Sequence, residues 1–239
     1  YTNSKNCVAV NSGTAALNLA LSLYDIKDKE VILPSMTFVA TANAIVMNGG
    51  KPVFVDINED TLNVDSEHLK SAITDKTKII LPVHFGGLSC NMDEIKLLAK
   101  KNNLKIIEDA AHAAGSKYKN SKIGSHGDAV CFSFHPVKNL AMPTGGLIAI
   151  NGKNDKKIRK ILLARRWCGI TNRNGTDYDV KEIGNNYYMN EFSASIGIVQ
   201  LKKLDKLNLI RKKNAKRFFS ELKLESKTKF DKDCSYHLY

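Results

Sequence analysis

The sequence predicts an α/β protein in which helices cover both faces of a mostly parallel sheet. Short apolar runs alternate with segments of helical periodicity from the first residues to about residue 107. A long helical stretch then occupies much of the C-terminal part. We therefore expect a three-layer α/β/α large domain followed by the start of a small C-terminal domain.

The first half of the chain supplies the alternating elements. Predicted helices begin after each of the first four strands, and the third of them is expected to use Ser66 as its N-cap. The predicted strands cover residues 8–10, 30–33, 52–55, 78–83 and 104–107. The predicted helices cover residues 14–24, 38–47, 66–73 and 93–101.

The second half of the chain predicts a change of organisation. Two strands at 129–134 and 146–150 are followed by a helix from about 190 to 222, whose apolar residues repeat with a helical period. We expect the large domain to cover residues 1–190, and the interdomain helix and the start of the small domain to cover residues 191–239. Both ends look truncated, because the chain begins with Tyr rather than Met and closes on alternation typical of a strand's beginning.

Net charge raises the possibility of nucleic-acid binding. The formal charge is +12, and residues 202–239 hold 12 basic and 5 acidic side chains. Lys outnumbers Arg 30 to 6, however, whereas surfaces that read nucleic acid rely more on the bidentate contacts of Arg. The basic stretch also coincides with the long helix, so a solvated helix face is the favoured interpretation and a nucleic-acid partner is not expected.

The cysteines and the hydropathy predict a compartment. Five cysteines form no C-x-x-C pair, which predicts a reducing, cytoplasmic setting without disulfides or a zinc site. No apolar run approaches the roughly 18 residues that a membrane span needs, and no signal-peptide pattern opens the sequence. A membrane partner is therefore not expected.

Three segments carry candidate chemistry. Residues 11–17, Asn-Ser-Gly-Thr-Ala-Ala-Leu, open a helix directly after a strand, so Gly13 and Thr14 could bind an anion at the helix N-terminus. Asp109 and His112 follow a strand at the sheet edge where ligands bind in parallel sheets. Lys138 follows an aromatic-rich strand and a proline, a setting in which partial burial lowers a lysine pKa. Each segment alone could equally be structural.

The order of the three segments narrows the choice of ligand. Pyridoxal 5′-phosphate needs a turn for its phosphate, a carboxylate for its pyridinium nitrogen and a lysine for its imine. The chain supplies these in that order, ending with Asp109 and Lys138.

On these residues the chain resembles the DegT/DnrJ/EryC1/StrS family of pyridoxal-phosphate-dependent sugar aminotransferases, which have the aspartate aminotransferase fold (fold type I). The string Glu-Asp-Ala-Ala-His-Ala followed by Ser-Phe-His-Pro-Val-Lys-Asn is highly specific. The resemblance extends over nearly the whole chain, through residues 12–17, 34–41, 52–56, 82–84, 108–113, 124–128, 132–139 and 184–192.

The resemblance implies a role for each matched residue. Lys138 would form the internal aldimine and then shuttle a proton, and Asp109 would keep the pyridine nitrogen protonated. Phe38 would stack on the ring, although a core phenylalanine is the alternative, and His112 would lie near the 3′-oxygen. The phosphate would be bound by Gly13, Thr14 and Ser133, and by Asn186 from the neighbouring subunit of a homodimer.

The resemblance also implies the activity. An amino acid, by resemblance glutamate, would donate an amino group to the keto group of a nucleotide-linked sugar. The chain departs from the family pattern in residues 142–146, where a Glu before the paired glycines is missing, and at Tyr188, where an arginine is frequent. Because both departures lie where the substrate should bind, the identity of the sugar is not predicted. His84 and Tyr187 are expected to lie near the substrate.

Three alternatives stay open at this point. A sugar dehydratase with the same cofactor would resemble this family but carry histidine in place of Lys138. A non-catalytic family member would have lost Lys138 or Asp109, and both are present. A nucleic-acid-binding protein would use the basic C-terminal stretch and show steeply salt-dependent binding.

Overall fold

The structure, a computed structural model, describes residues 1–152, 154–221 and 228–238 and contains a central sheet of seven strands. The strands are β1 Asn6–Val10, β2 Glu30–Pro34, β3 Lys51–Val55, β4 Thr77–Ile80, β5 Lys105–Asp109, β6 Lys117–Tyr118, β7 Ser121–Lys122, β8 Ala129–Ser133, β9 Gly146–Ile150, β10 Ile170–Asn174 and β11 Asp177–Val180. The α-helices are α1 Gly13–Leu21, α2 Val39–Met47, α3 Ser66–Ala72, α4 Met92–Lys101, α5 Asp155–Arg166 and α6 Glu191–Glu221.

The sheet is mostly parallel, as predicted. Its order is β1-β9-β8-β5-β4-β2-β3, and the pairings from β8 to β3 are all parallel. β9 is antiparallel to both of its neighbours, β8 and β1. Because β5 and β8 are adjacent and parallel, their last residues, Asp109 and Ser133, lie at the same edge of the sheet.

Side chains of the parallel strands alternate between two apolar cores, one on each face of the sheet. In β2, Val31 and Leu33 pack with residues of α1 and α2, whereas Ile32 packs with Leu69 of α3 and Ile95 of α4. All three β2 residues are completely buried. A strand covered on both faces reads as a continuous apolar run, which is the pattern of a parallel sheet between two helical layers.

One local prediction is wrong, and two elements were not predicted. The N-cap of α3 is Asp65 rather than Ser66, because the extended Asp65 lets its carboxylate accept hydrogen bonds from the backbone N–H groups of Glu67 and His68. Helix α5 and the β10–β11 hairpin were not predicted. Their charged residues mask the periodicity, since only Leu162 and Ala164 are buried in α5.

Helix α6 confirms the predicted helical period, although most of the apolar positions that define it are exposed. Of the apolar positions that define the period, Leu204 is buried, whereas Ile196 and Val199 are 43% and 47% exposed. Leu222 lies outside the described residues. None of the described helices has the length and the apolar character needed to cross a membrane.

The C-terminal end differs from the expected strand. Residues 235–238 form no strand and instead pack against Gly86 and Asn139, while Tyr239 lies outside the described residues. The backbone N–H groups of His237 and Leu238 both donate to the carbonyl of Gly86, and the carbonyl of Ser235 accepts from Asn139. These contacts occupy the backbone groups that a strand would use for pairing.

Candidate active site

A pocket of about 300 Å³ lies at the carboxyl ends of β5 and β8, against the N-terminus of α1. Thr37, Thr41 and Thr144 add hydroxyl groups to its wall. Seven of the eight predicted site residues line it: Gly13, Thr14, Phe38, Asp109, His112, Ser133 and Lys138.

One end of the pocket is built to receive an anion. Helix α1 begins at Gly13, where the side chain of Ser12 caps the helix by accepting from the N–H of Ala15 at 3.0 Å. The first N–H groups of a helix have no acceptor within it. A Cβ on Gly13 would lie 2.7 Å from the Cβ of Ser133, so only glycine allows the helix N-terminus to approach the Ser133 hydroxyl this closely.

The opposite end of the pocket is a buried carboxylate. Asp109 accepts hydrogen bonds from the Thr41 hydroxyl at 2.9 Å and from the N–H of Ala111 at 3.0 Å. Burial raises the pKa of Asp109 above its ordinary value, although these hydrogen bonds and the charge of Lys138 oppose the shift. Both hydrogen-bond donors are neutral, so the carboxylate suits a cationic ligand.

Lys138 is half-buried between these two ends. Its N–H donates to the carbonyl of His135 in the turn that follows β8. Burial lowers the pKa of Lys138, with Asp109 acting in the opposite direction. Within the described part of the chain, its Nζ has no hydrogen bond or salt bridge, so the amine is available to react.

His112 occupies the wall as a neutral imidazole. The N–H of Gly86 donates to its Nδ1 at 3.3 Å, which places the ring proton on Nε2. Burial lowers the pKa of His112 to about 3, and the charge of Lys138 adds to this effect. Nε2 is therefore a hydrogen-bond donor at neutral pH.

Phe38 lines the pocket with a ring that is still accessible. It precedes α2 as the N-cap residue, and it is 72% exposed. The alternative of a core phenylalanine is therefore wrong, and a ring face is free to cover a flat ligand.

These features fit pyridoxal 5′-phosphate. The glycine-only approach between Gly13 and Ser133 forms a cradle for a phosphate. The buried Asp109 lacks a hydrogen-bonded cation among the described residues and suits a protonated pyridine nitrogen. Lys138, with its lowered pKa, suits covalent attachment to an aldehyde.

Three expected neighbours lie outside the pocket. Asn186 is exposed and bridges to Trp167 through its backbone, and its role at a neighbouring subunit remains a prediction. His84 does not contact the pocket, since its side chain is completely buried against Glu108. Tyr187 packs against the core around α1, and Tyr188 packs against Trp167 at 4.7 Å between ring centroids.

Sequence reasoning did not single out Thr41. It lies inside the matched segment 34–41, so the motif contained it, but no pattern indicated that its hydroxyl reaches Asp109. His237 was not predicted either, and it stacks on His112 from the C-terminal segment.

Comparison with known proteins agrees with this geometry. The model of the DegT/DnrJ/EryC1/StrS aminotransferase family matches residues 1–239. The spore coat polysaccharide biosynthesis protein SpsC of Bacillus subtilis is 42% identical over 224 residues, which are 91% of this chain and 58% of SpsC. The UDP-4-amino-4,6-dideoxy-N-acetyl-beta-L-altrosamine transaminase of Campylobacter jejuni is 42% identical over 224 residues, 92% of this chain and 58% of that protein.

A solved structure shows the same fold. Spr1654 from Streptococcus pneumoniae, in its PMP form, superposes with a TM-score of 0.93 at 33% identity and covers 100% of this chain and 66% of its own. Its PLP form superposes with a TM-score of 0.90 at 32% identity, over 100% of this chain and 67% of its own. The chain spans about three fifths of the curated relatives named above.

Proposed function

The chain belongs to the DegT/DnrJ/EryC1/StrS aminotransferase family, and we propose that it uses pyridoxal 5′-phosphate to aminate the keto group of a nucleotide-linked sugar. An amino acid, which we expect to be glutamate, supplies the amino group. The observation that carries the proposal is that one pocket contains Asp109, Lys138 and the N-terminus of α1.

Each side chain has a definable task in this pocket. When bound, pyridoxal 5′-phosphate supplies an electron sink for breaking and forming bonds at the carbon that bears nitrogen. The Nζ of Lys138 holds the cofactor and moves a proton at that carbon. The carboxylate of Asp109 keeps the ring nitrogen protonated, and Thr41 holds that carboxylate in place.

Other residues orient the cofactor and exclude water. The N–H groups at Gly13 and Thr14 and the hydroxyl of Ser133 bind the phosphate. Phe38 would cover one face of the cofactor's ring, and the Nε2–H of His112 would donate a hydrogen bond to its 3′-oxygen. Lys138 in this setting favours transamination over the dehydratase alternative, which would carry histidine at that position.

The substrate class rests on the relatives and on charge. The Campylobacter jejuni relative is named for a UDP-linked amino sugar, and the Bacillus subtilis relative for polysaccharide biosynthesis. A formal charge of +12 favours the approach of an anionic nucleotide sugar. The unpaired cysteines suit the expected cytoplasmic setting.

The proposed active site is shared between two subunits of a homodimer. Asn186 is exposed and does not line the pocket of its own chain, and we expect its side chain to reach the phosphate in the pocket of the neighbouring subunit. Exposed apolar side chains lie nearby, including Ile183 at 96% and Phe192 at 86% exposure, and a second copy would cover them.

A direct experiment tests the cofactor assignment. Purified protein is mixed with pyridoxal 5′-phosphate and reduced with borohydride, and its mass is measured. Wild type and the control Lys70→Ala, altered at an exposed lysine of α3, should gain the cofactor mass, whereas Lys138→Ala should not. Wild type that never takes up the cofactor would defeat the proposal.

A second measurement tests the reaction. The loaded protein is incubated with glutamate and a panel of nucleotide-linked keto sugars, and mass spectrometry identifies any aminated sugar. Loss of the amino group from glutamate without any aminated sugar would contradict the proposed acceptor class.

A further inference from the structure

The C-terminal segment, residues 228–238, contacts the wall of the pocket through His237. The imidazole of His237 stacks on that of His112, with ring centroids 4.3 Å apart and planes 29° apart. The backbone N–H of His237 donates to the carbonyl of Gly86 at 2.8 Å, and the N–H of Gly86 donates to Nδ1 of His112. The same segment therefore touches His112 directly and holds the glycine that fixes its tautomer.

A buried asparagine links His237 to the turn that carries Lys138. The side-chain nitrogen of Asn139 donates to the carbonyl of Ser235 at 2.9 Å and to Asn208 at 3.1 Å. Its side-chain oxygen can only accept, so Nδ1 of His237, 3.1 Å away, carries the ring proton and donates to it. Asn139 is 4% exposed, so these hydrogen bonds are protected from water.

The charge states of the two histidines are compatible with stacking. Burial lowers the pKa of His237 to about 4 and that of His112 to about 3, and the charge of Lys138 contributes to both shifts. Arg211 further lowers the pKa of His237. Both rings are therefore neutral at neutral pH and do not repel each other.

We propose that His237 is a positioning residue of the cofactor pocket, acting through His112 and Asn139. Its ring limits the orientations of the His112 ring, so that the Nε2–H of His112 points into the pocket. Its Nδ1–H orients Asn139, the residue after Lys138. The inference rests on the proposed function, since it assigns His237 an effect on the bound cofactor.

The test measures the affinity for pyridoxal 5′-phosphate and the visible absorption maximum of the bound cofactor. His237→Ala is expected to weaken binding roughly tenfold and to move the absorption maximum, because His112 is free to turn. His237→Phe keeps a ring and loses the donor to Asn139, so we expect a loss of about threefold. His68→Ala, at an exposed histidine of α3, is the matched control and should change neither quantity.

A double variant separates positioning from general destabilisation. If His237 acts through His112 and Asn139, adding His237→Ala to His112→Ala should weaken binding by no more than about threefold, the loss expected from the Asn139 contact, rather than by the full tenfold. Losses that multiply would overturn the proposal, as would a folded His237→Phe with wild-type affinity and absorption. Wild type that fails to bind the cofactor would defeat the proposed function instead, so the two failures are distinguishable.

Discussion

Nε2 of His84 lies 2.7 Å from a carboxylate oxygen of Glu108, and both side chains are completely buried. The other carboxylate oxygen accepts from the N–H of Gly127, and Nδ1 of His84 accepts from the N–H of Cys90. The backbone N–H of His84 also donates to the carbonyl of Asp109 at 3.0 Å. This pair therefore lies directly behind the strand end that carries the carboxylate of the pocket.

Breaking this buried pair should strongly destabilise the fold. Glu108→Ala leaves His84 and the Gly127 N–H without an acceptor, so the free energy of unfolding is expected to fall by about 3–5 kcal/mol in urea denaturation. Glu67→Ala removes an exposed partner of Lys70 and should cost less than about 1 kcal/mol. Similar losses in both variants would show that the buried pair contributes little.

The close approach of Gly13 to Ser133 predicts a selective loss of cofactor. Gly13→Ala places a methyl group 2.7 Å from the Ser133 Cβ and should weaken pyridoxal 5′-phosphate binding at least about tenfold, measured by absorbance titration. Gly50→Ala is the control, since its Cβ would lie 3.0 Å from Ile26 and Ile45, outside the pocket. It should lower stability and leave cofactor affinity unchanged; the reverse pattern would refute the proposed phosphate cradle.

Neutralising Asp109 should stabilise the cofactor-free protein. Burial raises the pKa of Asp109 above 3.8, so the folded state binds this proton more tightly than the unfolded chain and loses stability as pH rises through this range. At pH 7, Asp109→Asn should therefore raise the Tm, by roughly 2–4 °C for each kcal/mol recovered. The gain should shrink towards pH 4 in scanning calorimetry.

The control for Asp109 is an exposed carboxylate. Asp60→Asn should leave the Tm unchanged across the same pH range. Asp109→Asn that lowers the Tm at pH 7 would mean that the carboxylate is stabilised by contacts stronger than those with Thr41 and Ala111.

The exposure of Phe38 predicts a functional cost without a structural one. Phe38→Ala should change the free energy of unfolding by less than about 0.5 kcal/mol, because the ring is 72% exposed. It should nevertheless weaken cofactor binding, since one face of the bound ring loses its cover. Phe54→Ala, at a ring 54% exposed on β3, is the control and should leave the affinity unaltered. Equal affinities for both variants would remove Phe38 from the site.

The shared site predicts recovery of activity on mixing two inactive variants. Lys138→Ala and Asn186→Ala should each lose most activity as homodimers. If the subunits exchange at equal concentrations, half of the dimers are mixed and each holds one intact site, so roughly a quarter of wild-type activity should return. Absence of recovery, with subunit exchange shown by mass, would place Asn186 outside the site.

Local patterns in the sequence determined most of the sheet and the central chemistry. The parallel strands β2 to β5 and the motif residues Asp109 and Lys138 were all predicted. The strand and helix periods and the motif segments each consist of consecutive residues, so they can be recognised without knowledge of the tertiary structure. Helix α5 escaped this reasoning, because its charged residues hide the small buried face.

Only the tertiary structure decided how the distant segments meet. It placed the Thr41 hydroxyl on Asp109 and stacked His237, from the C-terminal segment, on His112. It also inserted β9 antiparallel between β1 and β8. The sequence by itself determined which groups can hold the cofactor, since their chemistry and order are local properties. Which side chains contact these groups depends on how distant segments of the chain pack together, and no short sequence pattern predicts that packing.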